Sequence, residues 1–260
     1  ILSGLVGSEM CIRDSIRGIV GETLTAEVAQ QIGQSIGSAA REQNILEIVI
    51  GRDGRLSGPS LAQALAQGIR STGVNVIDIG CVVTPMLYFA AHHLGTQSGV
   101  MVTGSHNPAQ YNGFKMMLAG ETLAGNQIQA LYQRIQQQQF TRGQGKYRTE
   151  SITEAYFERI TESIQLSRPM EIVIDCGNGI AGAYAPALFR RLGCHVHELF
   201  CEADGNFPNH HPDPAKPENL RDMIDTVAKT KAELGLAFDG DGDRLGIVTK
   251  EGNIIWPDRQ

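Results

Sequence analysis

Glu47-Ile48-Val49-Ile50-Gly51-Arg52-Asp53-Gly54 is a β-branched run entering a glycine turn, and the same strand word, EIVI, returns in Glu171-Ile172-Val173-Ile174-Asp175-Cys176-Gly177-Asn178-Gly179. Short continuous apolar runs bounded by turn residues read as buried strands. Each copy is followed by a helical pattern, a glycine and a second apolar run, 73–79 in the first and 193–200 in the second. Pro59 at the start, Leu61, Leu65 and Ile69 spaced by four, and Gly73 past the end predict the first of these helices. Leu188 and Leu192, ended by Gly193, predict the same buried stripe for the second. Further helices are predicted to begin near Thr25 (Val28, Ile32, Ile36), Asn126 (Ile128, Leu131, Ile135), Thr153 (Phe157, Ile160, Ile164) and Glu218 (Leu220, Ile224, Val227). Strands and helices alternate in both halves, so the predicted fold class is α/β, as two successive similar α/β domains with mixed sheets. Residues 137–150 lack apolar periodicity and carry two glycines, which puts the boundary near 150. Within that stretch the glutamine run 136–139 reads as a solvated helix end.

Each half then ends in another apolar strand running into a polar loop, 99–103 before Gly104-Ser105-His106-Asn107-Pro108 and 234–238 before Asp239-Gly240-Asp241-Gly242-Asp243-Arg244. Ligands of open α/β sheets sit outside the carboxyl ends of strands, so these two equivalent loops are where chemistry is expected. Asp239, Asp241 and Asp243 alternate with glycine, and the glycines let the backbone curl until the three carboxylates converge. Such charges repel unless a cation neutralises them, and an all-oxygen donor set suits Mg²⁺ or Ca²⁺. A calcium loop counted from Asp239 needs glycine sixth and glutamate twelfth. Arg244 and Lys250 stand there, which leaves Mg²⁺ beside a phosphate as the better fit. Arg244 is suited to phosphate oxygens. Ser105 sits on a sharp turn as a candidate hydroxyl nucleophile. The G-x-S-x-G elbow of acyl-transfer hydrolases fails at Thr103 and Asn107, so phosphoryl transfer fits better. Read alone, the same residues also describe an ordinary Ser/Asn/Pro turn.

Smaller features are two-sided. Arg52 and Arg55 follow a strand and suit either a phosphate or salt bridges within the loop. Lys115, in an otherwise apolar run, suits charge neutralisation or a snorkelling strand lysine. His210-His211-Pro212-Asp213 reads as a hydrogen-bonded loop rather than a metal site, and His92-His93 as a helix end. The 260 residues are 42% hydrophobic and 19% charged with a net charge of −6 and no basic block, which argues against nucleic-acid or anionic-membrane partners. The longest apolar stretch, 79–91, is broken by Thr84 and Pro85, short of the ~20 residues of a spanning helix. Five scattered cysteines without CxxC spacing predict reduced, mostly buried thiols and a cytoplasmic protein. Residues 1–15 show no sustained period and no targeting pattern, and read as a non-native adaptor or vector scar. Two short strands, 246–249 and 254–256, close the chain around a turn at 251–253.

Four segments together, Thr103-Gly104-Ser105-His106-Asn107-Pro108, Asp239 to Arg244, Gly51 to Gly58 and 204–220, resemble the α-D-phosphohexomutases, with the greatest likeness to their bacterial phosphomannomutase/phosphoglucomutase branch. The likeness runs nearly continuously over 16–260. It implies that Ser105 is a phosphoserine, primed by glucose 1,6-bisphosphate, and that Asp239, Asp241 and Asp243 bind Mg²⁺ with a phosphoserine oxygen completing the site. It implies further that Arg17, His106 and Lys115 serve catalysis and that Arg244 and Asn107 contact substrate. The implied reaction moves phosphate between C1 and C6 of mannose or glucose phosphate through a 1,6-bisphosphate. Residues 16–150 would be domain I, carrying the serine loop, and 151–260 domain II, carrying the metal loop.

Two departures bear on activity. Family members carry an aromatic residue just before Ile16-Arg17-Gly18, where this chain has Arg13-Asp14-Ser15. The family also builds its cleft from four domains, and the third and fourth, with the sugar-reading loop and distal phosphate clamp, have no counterpart here. The expectation is therefore a fragment, monomeric in its full-length form, that turns over little substrate alone. Competing expectations are phosphoglucosamine mutase and a non-catalytic phosphosugar- or metal-binding module.

Overall fold

The computed structural model describes residues 11, 12 and 15–259. They form two units, one ending at Ile152 and one starting at Thr153. Most of 1–15, including Arg13 and Asp14, lies outside the described residues. Within that stretch Cys11–Ile12 forms β1 and Ser15 opens β2 (Ser15–Ile19).

The first unit has an eight-stranded mixed sheet in the order β1-β2-β6-β5-β3-β4-β8, with β7 (Glu121–Thr122) against β6. At its centre β3 (Glu47–Arg52) pairs in parallel with β4 (Asn75–Cys81) and β5 (Gly99–Val102), while β6 (Tyr111–Leu118) runs antiparallel between β5 and β2. Ile48, Val49 and Ile50 are wholly buried, as a strand covered on both faces requires. The Thr25 hydroxyl caps α1 (Ala26–Glu42) by accepting from Val28 N at 3.3 Å. Leu61, Leu65 and Ile69 of α2 (Gly58–Arg70) and Ile128, Leu131 and Ile135 of α4 (Asn126–Gln136) bury the predicted stripes. Between them, α3 (Thr84–His93) ends on His92 and His93. Inside the stretch read as aperiodic, β8 (Tyr147–Thr149) adds a short exposed edge strand to β4.

The second unit repeats the plan around β9 (Glu171–Asp175), in the order β10-β9-β11-β12-β13. Here β10 (His195–Leu199) and β11 (Leu234–Phe238) flank β9 in parallel, β12 (Leu245–Thr249) returns antiparallel, and β13 (Ile254–Ile255) pairs with it across a turn with Gly252 at φ +82°. Of the Thr153 stripe, only Phe157 is buried in α5 (Thr153–Ser163), and Ile164 lies beyond the helix end and exposed. In the Glu218 stripe, Leu220 and Val227 are buried and α7 runs Arg221–Lys229. The stripe expected at Leu188 and Leu192 is corrected. The helix there, α6 (Ala185–Arg191), has two turns, buries Ala185 and Pro186 at its start, and leaves both leucines half-buried. It covers the edge strand β10, itself half-exposed, so there is less core to fill.

Candidate active site

The segment after β5 carries Ser105 at φ +50°, a left-handed conformation that costs a non-glycine residue and persists only when neighbours impose it. The neighbours are visible. Ser105 N donates to the Thr103 hydroxyl at 2.8 Å, and that hydroxyl donates to Asp53 Oδ2 at 2.8 Å. Gly104 N donates to the same carboxylate oxygen, and Asn107 N returns to the Gly104 carbonyl. From the other side the Arg55 guanidinium, buried against Asp53, donates to the Ser105 and Asn107 carbonyls at 2.7 and 2.6 Å and to those of Pro108 and Tyr111 at 2.7 and 2.9 Å. Gly104 lets this cation approach, since a Cβ there would lie 2.3 Å from Arg55 Cζ.

Of the sequence-predicted residues of the first unit, Ser105, His106, Asn107 and Arg17 meet at this turn, and Lys115 is placed by its strand register. Ser105 is buried, with Oγ 3.4 Å from His106 Nδ1. Arg17 donates from Nη1 to the Gly104 carbonyl at 2.6 Å, one residue from the nucleophile. In register, Arg17 faces Gly113 on β6 and Ser15 faces Lys115. Cross-strand partners share a face, so Arg17 and Lys115 lie on one face of the sheet, both buried. The missing side chain at Gly113 leaves room for Arg17, whose Cγ would lie 3.0 Å from a Cβ there. Asn107 enters the turn through its backbone.

In the second unit Asp239, Asp241 and Asp243 each offer one carboxylate oxygen, all within 4.8 Å of one another. Asp239 and Asp241 are fully buried and Asp243 is exposed. The loop orders itself: Asp239 Oδ1 accepts from the amides of Asp243 and Arg244 at 3.0 and 3.1 Å, and Gly242 takes φ +71°. Two buried carboxylates beside a third form a donor set that suits a hard divalent cation, so these residues fit Mg²⁺. Arg244 gives its amide to this loop and keeps its side chain exposed. Sequence reasoning passed over Asp53 and left Arg55 undecided. The usable signal was charged Asp53 and Arg55 at the carboxyl end of a buried strand, the same position as the two loops already singled out.

The family model described as phosphoglucomutase/phosphomannomutase, alpha/beta/alpha domain I, matches residues 11–142, and that of domain II matches 154–252. The chain belongs to this family. Within it, a phosphomannomutase/phosphoglucomutase of Pseudomonas aeruginosa is 56% identical over 244 residues, covering 94% of this chain and 53% of that protein. A phosphoglucomutase of Neisseria meningitidis serogroup B is likewise 56% identical, over 94% of this chain and 54% of its own length. The solved structure of a family protein from Burkholderia thailandensis superposes with a TM-score of 0.93 at 52% identity, over 97% of this chain and 57% of that one. The chain thus spans about half the length of the relatives it matches. Among the described residues no helix is long and apolar enough to cross a membrane.

Proposed function

We propose that this chain supplies the phosphoryl-carrying serine and the metal loop of a phosphohexomutase acting on mannose or glucose phosphate. Ser105 is the carrier. Asp239, Asp241 and Asp243, with an oxygen of the phosphorylated serine, would hold Mg²⁺, which when bound would supply Lewis-acid stabilisation of charge at the serine oxygen. Glucose 1,6-bisphosphate primes Ser105. The phosphoryl group then passes to a free hydroxyl of a hexose monophosphate: the bond from phosphorus to Ser105 Oγ breaks and one to the sugar oxygen forms, leaving a 1,6-bisphosphate. After the intermediate turns over, its other phosphate returns to Ser105 and the isomeric monophosphate departs. His106 Nδ1, 3.4 Å from Oγ, stands where a proton can be held beside the serine oxygen as that bond forms or breaks. Arg17 and Lys115 offer fixed positive charge to the equatorial oxygens, and Arg244 a further grip on phosphate.

The observation that carries this reading is the tied left-handed turn at Ser105 with the Arg17 guanidinium bonded to the adjacent carbonyl. A nucleophile held in one geometry among fixed cations is what phosphoryl transfer needs, since positioning and charge do most of the work. Exposure of the chain to glucose 1,6-bisphosphate with Mg²⁺, followed by phosphopeptide mass analysis, is the test. Label is expected on Ser105 and absent from Ser105→Ala. Folded protein that never labels would instead favour a non-catalytic phosphosugar-binding module.

A further inference from the structure

Arg55 is distinguished by how completely it is used. It is 2% exposed, and each of the five N–H donors of its guanidinium has an acceptor. Nε goes to Asp53 Oδ2 at 3.2 Å, one terminal nitrogen to the Pro108 and Tyr111 carbonyls, and the other to the Ser105 and Asn107 carbonyls. Four main-chain oxygens from a seven-residue stretch, 105–111, thereby aim at one cation. Asp53 is the counter-charge and reaches the same turn from beneath, through Gly104 N and the Thr103 hydroxyl.

A buried ion pair is weak support for stability, because desolvating two charges offsets most of their attraction. The hydrogen bonds around this pair instead fix one backbone conformation, and the residue at its centre is Ser105 with its positive φ. We propose that Arg55 is a positioning residue for phosphoryl transfer at Ser105, setting the direction of Oγ through the carbonyls of the turn. The proposal rests on the reading of Ser105 as the carrier. Arg55 bonds the Ser105 carbonyl, so it acts through the main chain. Lysine cannot replace it, having three donors on a flexible stem and no planar fork.

The test uses this chain as wild type, Arg55→Met, Arg55→Lys and Asp53→Asn, with two readouts. The first is the rate of Ser105 phosphorylation against glucose 1,6-bisphosphate concentration, and the second is amide hydrogen exchange across 103–113. Arg55→Met is expected to lower the maximal rate by about 100-fold while the half-saturating concentration moves by less than about threefold, because misorientation costs the transferring step and leaves donor binding in place. Arg55→Lys is expected to stay below about a tenth of the wild-type rate. Exchange is expected to quicken in 103–113 and to stay slow in β3 and β4. Asp53→Asn should shift both readouts the same way by about tenfold or less, and decides the matter if the Arg55 variants do not fold. Labelling of a folded Arg55 variant within about threefold of wild type would overturn the proposal, as would full rescue by lysine or unchanged exchange in 103–113. If wild type itself never labels, the carrier reading fails, and the exchange data alone then decide whether Arg55 holds the turn.

Discussion

The loop after β3 in the first unit is tied by a carboxylate–guanidinium pair, Asp53 with Arg55. Its counterpart after β9 in the second is tied by a carboxylate–imidazole pair, Asp175 with His210 Nε2 at 3.0 Å from both carboxylate oxygens. The sheets beneath are alike, with β6-β5-β3-β4 in one unit and β12-β11-β9-β10 in the other. In each, an aspartate near the end of the first strand accepts from the amide two residues on, Asp53 from Arg55 N and Asp175 from Gly177 N. What differs is the sign of the charge gathered at the next strand end. After β5 a hydroxyl sits in a turn whose carbonyls are held by two guanidiniums, Arg17 and Arg55, while after β11 three carboxylates crowd one loop. One scaffold thus carries two loops of different charge character at equivalent strand ends.

The sharpest way to break this comparison is to remove charge from the acidic side. Asp241→Asn keeps the shape of a buried side chain and deletes one of three negative charges, and Mg²⁺ affinity measured by titration calorimetry on this chain is expected to fall by more than about tenfold, since ligand charge count tunes affinity in oxygen sites. Asp243→Asn, at the exposed end of the loop, should lose less. Unchanged Mg²⁺ affinity in Asp241→Asn would show that the triad is an acidic turn and no metal site.

Close packing offers a second contrast. A methyl at Gly104 would meet Arg55 Cζ at 2.3 Å, whereas one at Gly179, in the loop after β9, would meet its nearest neighbours at 3.0 Å. Gly104→Ala must displace a fully bonded guanidinium and is expected to cost about 1–3 kcal/mol in urea unfolding, with Gly179→Ala costing less. Equal costs would mean that Arg55 has room to move and that the serine turn is looser than its hydrogen bonds indicate.

Much of this was legible in the sequence because the deciding features were local or periodic. The EIVI strands, the stripes of α2 and α4 and the Thr25 cap all lie within a few turns of chain, and the aspartate triad spans five residues. What escaped was built by distance in sequence. Arg55 reaches carbonyls 50 to 56 residues away, so no local pattern could decide between a phosphate ligand and a structural pair. The approach of Cys176 and Cys201, with sulfurs 3.6 Å apart, likewise depends on how two strand ends meet. β8 was missed because three exposed edge residues carry no burial pattern. The stripe of α6 was overestimated because sequence spacing does not reveal that the strand beneath is an edge.

The smallest expected effect tests the titratable tie in the second unit. His210 is mostly buried, which disfavours its charged form, but the hydrogen bond and charge of Asp175, the His211 carbonyl at 3.0 Å and the charge of Asp222 outweigh that and raise its pKa above the ordinary histidine value. A raised folded-state pKa means the folded protein holds the proton more tightly than the unfolded chain. The resulting stabilisation is complete below the unfolded value of about 6.5 and is lost as pH climbs through the folded one. Thermal unfolding and hydrogen exchange of 175–179 are therefore expected to weaken between mildly acidic and mildly alkaline pH, while exchange of 103–113, tied by Arg55, shows no matching change. His210→Gln should flatten the pH dependence of the second unit without altering that of the first. An unaltered slope in His210→Gln would place the titrating group elsewhere and remove the distinction between a fixed and a titratable tie.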